Sequence, residues 1–166
     1  ISKNGKFKVK KIKISKKNIK KIENNLILIF TKEIRDSNQI IESQRKNINK
    51  NNIIETYTKI KKMVLPMEHA LIKANIKKIG KIFDDHWKIK KDLSDDISNN
   101  FLNRFYTKLM KTNLFYGGKI IGAGGGGFFL MAIKNRKKVF KYVKKKKINF
   151  IKIKFDYKGS TILKNN

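Results

Sequence analysis

Three kinds of hydrophobic spacing follow one another along this chain, and each predicts a different element. Residues 7–14, FKVKKIKI, alternate apolar side chains with lysine and slip phase once, at Lys10 and Lys11. Alternation with period two places successive side chains on opposite faces of a strand, so this stretch predicts a half-buried strand or strand pair with a bulge or bend. Asn4-Gly5 just before it is a hairpin-type turn signal, which predicts a partner strand upstream of Ile1. Residues 26–31, LILIFT, are an unbroken apolar and β-branched run, the pattern of a buried strand.

From residue 37 the period lengthens. Ser37 is a candidate N-cap for a helix carrying Ile40 and Ile41. Ile53, Tyr57, Ile60 and Val64 recur at helical spacing, Pro66 interrupts them, and Leu71, Ile72, Ile76, Ile79, Phe83 and Trp87 resume the stripe. Phe101, Leu102, Phe105, Leu109 and Met110 form another, with Ser98 or Asn99 as its cap. The pattern then predicts strands at 118–121 and 128–133 and a short basic helix at 136–147 that buries Val139, Phe140 and Val143. A strand at 150–155 follows, with Ile151, Ile153 and Phe155 on one face, then a turn at Lys158-Gly159 and a closing edge strand at 160–163. The expected class is α+β, a small antiparallel sheet with helices packed on one face. No internal repeat or domain boundary is visible.

Composition narrows the possible chemistry. At 166 residues the chain is one ordinary domain or one piece of a larger protein. It begins with isoleucine, so the start of a longer protein is expected upstream. Without cysteine there is no disulfide, thiol nucleophile or thiolate metal site, and His69 and His86 are too few for a histidine-built one. The weakly polar run 120–133 falls short of the ~18–20 residues that cross a bilayer, so no membrane span is expected.

The net charge of +30 invites a nucleic-acid reading. Arginine, however, occurs only at Arg35, Arg45, Arg104 and Arg136, and phosphate- or base-reading surfaces rely heavily on its bidentate fork. Joint excess of lysine, asparagine and isoleucine reads instead as drift of surface positions. Nonspecific polyanion binding at low salt is still expected.

The most distinctive stretch is 116–133, YGGKIIGAGGGGFFLMAI. Five loop glycines, Gly122, Gly124, Gly125, Gly126 and Gly127, forgo roughly 0.5–1 kcal/mol each relative to alanine, which is tolerated where positive φ or very close approach is required. The spacing satisfies G-x-G-x-x-G, but FFLMAI follows as a strand where the dinucleotide motif needs a helix to open. No Gly-Lys-Ser/Thr follows, which excludes a Walker A loop.

GGKIIGAGGGGFFLMAI resembles the C-terminal glycine motif of the GHMP kinases, the superfamily of galactokinase, homoserine kinase and mevalonate kinase. TKEIRDSNQIIESQ (31–44) and DHWKIKKDLSDDISNNFLNRFY (85–106) are similar to segments of the sugar kinases acting on D-glycero-D-manno-heptose 7-phosphate, and FDYKGSTIL is similar to their last hairpin. The resemblance implies a two-domain cytoplasmic kinase. Residues 1–14 would end the ribosomal S5 domain 2-like N-terminal domain, and 15–166 would form the ferredoxin-like C-terminal domain. ATP and Mg²⁺ are the implied cofactors and a sugar phosphate the implied substrate. No catalytic residue is expected in this chain, because the family's phosphate loop and the aspartate that activates the sugar hydroxyl belong to the N-terminal half, the expected partner.

By the same resemblance, Gly122 and Gly124 to Gly127 approach the nucleotide phosphates and the sugar, while Lys119 and Arg35 are candidate substrate-binding residues. Lys32 stands where the family usually has glycine. His86 and Trp87 read as packing or subdomain contacts and not as catalytic residues, Asp95-Asp96 as turn and cap residues, and Tyr116 as core. No metal ligand is expected. Two alternatives belong to other classes: a basic ferredoxin-like nucleic-acid-binding module, and a degenerate kinase half serving as a binding piece. Against the first, Phe128, Phe129, Phe150 and Phe155 lie in runs apolar enough to predict burial.

Overall fold

Ser15 opens the first regular element: its hydroxyl accepts the Asn18 N–H at 3.2 Å and caps helix α1 (Lys16–Asn25). The computed structural model describes residues 9–34, 36–48, 51–157 and 159. The expectations for Asn4-Gly5, Arg35, Lys158 and 160–163 therefore lie outside the described residues, as do the first two residues of the 7–14 strand. Its remainder, 9–14, is not a strand. Val9 is 83% exposed, and no described strand pairs with this stretch, so its alternation has no sheet to exploit.

Strand β1 (Leu26–Phe30) follows where the apolar run predicts it. Helix α2 (Ser37–Lys46) is capped one residue before Ser37, by the Asp36 carboxylate accepting the Asn38 N–H. Helices α3 (Asn51–Lys62) and α4 (Val64–Ile72) are separated at Met63. Pro66 thus falls in the first turn of α4, where its missing N–H has no intrahelical partner to lose. Tyr57 and Val64, part of the predicted stripe, are exposed. Asn75 caps α5 (Ile76–Lys90). Short 3₁₀ turns at Lys91–Leu93 and Asp95–Ile97 lead to α6 (Asn100–Lys111), capped by Asn99. Strands β2 (Phe115–Ile120) and β3 (Phe128–Ile133), helix α7 (Arg136–Lys145) and strand β4 (Phe150–Lys152) complete the order.

The sheet runs β2-β3-β1-β4 and every pairing is antiparallel. Strand, helices, hairpin, helix, strand in that spatial order is the ferredoxin-like arrangement. Register assigns the faces. Ile27 opposes Met131 and Ile29 opposes Phe129, and these join Ile120, Ile133, Trp87, Leu102, Leu109, Val139 and Val143 in the larger core. Leu26 opposes Ala132, and both point the other way, into a smaller core with Ile22, Ala70 and Ile79. Helices therefore cover one face, and α1, α4 and the start of α5 reach over part of the second.

Beyond β4 the expected strand does not continue to 155. Phe150 supplies the packing side, stacking on Phe140 at 5.2 Å, while Ile151 and Phe155 are 50% and 40% exposed. The expected burial of Phe155 is thereby overturned, and that of Phe129 is complete.

Helix α5 closes the outer edge of β2. A Cβ at Gly117 would lie 2.1 Å from the Gly80 carbonyl oxygen, so helix and strand touch through backbone. The Tyr106 hydroxyl accepts the Gly118 N–H at 3.0 Å and donates to Asp84 Oδ1 at 2.8 Å, joining α6, β2 and α5. Among the described residues, no helix is long and apolar enough to cross a membrane.

Candidate functional site

The β2–β3 connection, residues 121–127, lies where β1 ends and is held by groups from four elements. The Thr31 N–H and hydroxyl both donate to the Gly127 carbonyl at 2.9 Å, and the Gly127 N–H donates to the Glu33 carbonyl at 2.8 Å. The Gly125 N–H donates to the Ile97 carbonyl at 2.8 Å. From α2, Gln44 Nε2 donates to the Ala123 carbonyl at 3.3 Å, and from α5, Lys90 Nζ donates to the Gly122 carbonyl at 2.5 Å.

Close contact explains the glycines better than turn geometry alone. A Cβ at Gly126 would sit 2.4 Å from the Glu33 carbonyl oxygen, and one at Gly124 would sit 3.0 Å from backbone atoms of Ile97. Loop and flanking strap are thus packed backbone to backbone. Lys32, in that strap, has φ +66°, the left-handed conformation glycine adopts most easily.

These bonds use the carbonyls of Gly122, Ala123 and Gly127 and the N–H groups of Gly125 and Gly127. Among the described residues, no group accepts from the N–H of Gly122, Ala123, Gly124 or Gly126. Of these four residues Gly122 is exposed and Ala123 and Gly124 are partly buried, while Gly126 is buried; consecutive unbonded backbone N–H groups are a feature of anion-binding loops.

Three titratable side chains stand at the same end of α5 and β2. His86 and Lys90, four residues apart, share a face of α5. Lys119 projects from β2, opposite Leu130. All three are half-buried. Burial, with Lys119 adding repulsion, pulls the Lys90 ammonium down to about 8, and burial also lowers that of Lys119. Burial first, then the charges of Lys119 and Lys90, hold His86 down at about 4, so the imidazole is neutral near pH 7. Its buried Nδ1 has no hydrogen-bond partner among the described residues. No carboxylate pairs with Lys90 or Lys119 among those residues either. Some exposed lysines of α3 and α5 are paired with acids one turn away, Lys59 with Glu55, Lys81 with Asp85 and Lys88 with Asp84.

The other sequence expectations divide. Trp87 is a packing residue, edge-on to Phe129 at 5.5 Å. His86 lies half-buried near Lys90 and Lys119 at the end of the helix. Asp95 and Asp96 form a 3₁₀ turn whose Asp96 N–H is taken by the Ser94 hydroxyl. Tyr116 is partly buried against the smaller core. Lys90 is the residue that sequence reading misses. It is one lysine in the run Lys88 to Lys91, and only its position on α5 separates it from its neighbours. No group of three or more His, Asp or Glu able to hold a metal ion occurs among the described residues, so no metal ligand is assigned here. A cleft of about 300 Å³ between Phe30, Phe101, Phe105 and Tyr142 is lined by neither the loop glycines nor the three cations.

Fold and sequence likeness together place the chain with the C-terminal part of the GHMP kinases. No family profile matches it. It is 32% identical over 117 residues to the D-glycero-alpha-D-manno-heptose 7-phosphate kinase of Campylobacter jejuni, covering 70% of this chain and 34% of that protein. It is 25% identical over 126 residues to the bifunctional fucokinase/GDP-fucose pyrophosphorylase of Arabidopsis thaliana, covering 72% of this chain and 11% of that protein. Among solved structures, a putative sugar kinase from Campylobacter jejuni superposes with a TM-score of 0.59 at 26% identity, over 92% of this chain and 42% of that one. Mevalonate kinase of Methanococcus jannaschii shares the fold, with a TM-score of 0.59 at 22% identity over 84% and 42% of the two chains. The chain thus spans about a third of the first curated relative and less than half of the solved structures.

Proposed function

We propose that the intact protein is an ATP-dependent sugar kinase that transfers the γ-phosphoryl group, with Mg²⁺, to the anomeric hydroxyl of a phosphorylated heptose. Such a reaction prepares a sugar for nucleotide activation and surface-glycan synthesis, and we place it in the cytoplasm. Residues 15–166 are assigned to the C-terminal domain and 1–14 to the end of the N-terminal one. The observation that carries the reading is the glycine loop. Its carbonyls are held by Thr31, Gln44 and Lys90, while the N–H groups of Gly122, Ala123 and Gly124 have no acceptor among the described residues, near two lysines without acid partners there.

Phosphoryl transfer asks a protein mainly to position reactants and offset charge. In this reading Gly122 and Gly124 to Gly127 bring backbone close to the phosphates, Lys119 offsets acceptor charge, and Arg35 binds the sugar phosphate. The hydroxyl-activating base and the ATP phosphate loop are assigned to the part of the relatives that this chain does not span.

The nucleic-acid-binding alternative needs aromatics on an open sheet face. Phe129 is fully buried, and Phe128 and Phe150 are partly buried, which favours the kinase reading.

The test is ADP release with heptose 7-phosphate, ATP and Mg²⁺. The intact protein should turn over and the 166-residue chain alone should not. Turnover by the chain alone would overturn the assignment of the base upstream. An intact protein inert toward every sugar phosphate would remove the kinase reading.

A further inference from the structure

We infer that Lys90, Lys119 and His86 together form a seat for a phosphomonoester dianion at the mouth of the glycine loop. The inference rests on the kinase reading and adds Lys90 and His86 to it. Two half-buried ammonium groups near each other are costly, because burial and like charge both disfavour the ionised form. A carboxylate between such a pair would favour the charged form of both ammonium groups. At this site no described carboxylate does so. A dianion would relieve both penalties at once, and its hydrogen bonds would be of the charge-assisted kind.

The geometry supports the same ligand. Lys90 Nζ uses one of its three donors on the Gly122 carbonyl, leaving two. That bond also holds the ammonium beside Gly122, Ala123 and Gly124, whose N–H groups have no acceptor among the described residues. His86, one turn back on α5, is neutral and supplies one N–H, with no added repulsion before the anion arrives. A dianion beside it would favour the imidazolium.

Being broadly basic, the chain will hold phosphate weakly at many lysines, so position must be the readout. Lys90→Met and Lys119→Met are compared with Lys77→Met, which removes an exposed lysine at the other end of α5. In the intact enzyme at about 0.15 M salt, where surface charge is largely screened, KM for heptose 7-phosphate and for ATP are measured separately, with the inhibition constant of inorganic phosphate. Each site variant should weaken one of the two KM values and phosphate inhibition by about tenfold or more, the size of a lost charge-assisted hydrogen bond. Lys77→Met should stay within about twofold of the parent, since exposed charges contribute little. A rise in the sugar-phosphate KM assigns the seat to the acceptor, and a rise in the ATP KM assigns it to the nucleotide. Lys90→Arg, which keeps the charge, should recover part of the loss.

If the site variants match Lys77→Met, the seat does not exist, even though the enzyme turns over. If the intact protein never turns over, the kinase reading fails first. Direct titration with inorganic phosphate, followed by the His86 ring resonances, then tests the seat by itself. Binding should raise the His86 pKa, and an unchanged His86 titration would overturn the inference.

Discussion

The backbone of Gly126 passes so close to Glu33 that a methyl group there would lie 2.4 Å from the Glu33 carbonyl oxygen. The obstruction is main chain, so no side chain can rotate away. Gly126→Ala should cost about 1–3 kcal/mol, the usual range for overpacking, and lower the melting temperature by ~2–12 °C in a domain of this size. Gly122→Ala meets no atom within 4 Å and carries only the strain of φ +77°, about 1–2 kcal/mol. Paired thermal melts check the order: a Gly122 variant less stable than the Gly126 variant would contradict the packing argument.

At Gly80 two effects oppose each other. Alanine in a helix interior gains about 1 kcal/mol over glycine. A Cβ there would approach Tyr116 Cβ to 2.4 Å and Ala132 Cβ to 2.9 Å, both anchored directly on strands. Packing should win, and Gly80→Ala should destabilise by about 1–2 kcal/mol net. Chemical denaturation that shows a gain in stability would mean α5 moves away from β2 at little cost.

Removing the Tyr106 hydroxyl should expose how much the edge of β2 depends on it. Burial and the Asp84 carboxylate push this phenol above the ordinary tyrosine range, so it remains a donor at all ordinary pH. Tyr106→Phe leaves the Gly118 N–H and Asp84 without that partner, a loss of about 1–3 kcal/mol. Amide exchange should speed up most at Gly118. Uniform acceleration across the domain would point instead to lost core packing.

Stability should fall with acid through one identifiable histidine. Folded His86 stays neutral down to about pH 4, whereas the unfolded chain takes up that proton near pH 6.5. Between those values the unfolded state binds more protons, so stability rises with pH and is lost as pH falls from about 6.5 to 4. The charges facing His86 are those of Lys90 and Lys119, both cationic across this window. His86→Gln should flatten that part of the melting-temperature profile. An equally steep profile in the variant would assign the slope to other groups.

Much of this molecule is readable from local pattern. LILIF and FFLMAI are too apolar and too short to be anything but buried strands, and Asn99 caps α6 through chemistry confined to four residues. The glycine loop, too, announces itself, because runs of glycine are unfavourable in ordinary secondary structure. Misreadings occur where pattern depends on a partner. The alternation at 7–14 specifies a strand only if another strand is present to pair with its described part. Ile151 and Phe155 look like an inward face until Phe150 takes the packing side against Phe140.

What the sequence by itself determined is most of the elements from Leu26 to Phe150 and the unusual loop, since these follow from spacing, capping and backbone freedom within a few residues; it did not mark helix α1 (Lys16–Asn25). Only the tertiary structure decided which cations matter. Thirty excess positive charges make every lysine look alike along the chain. The approach of α5 to β2 through Gly80 and Gly117 brings Lys90, Lys119 and His86 to one end of the loop, and burial there sets two of many lysines apart. Desolvation is a property of the folded surroundings, which no local pattern encodes.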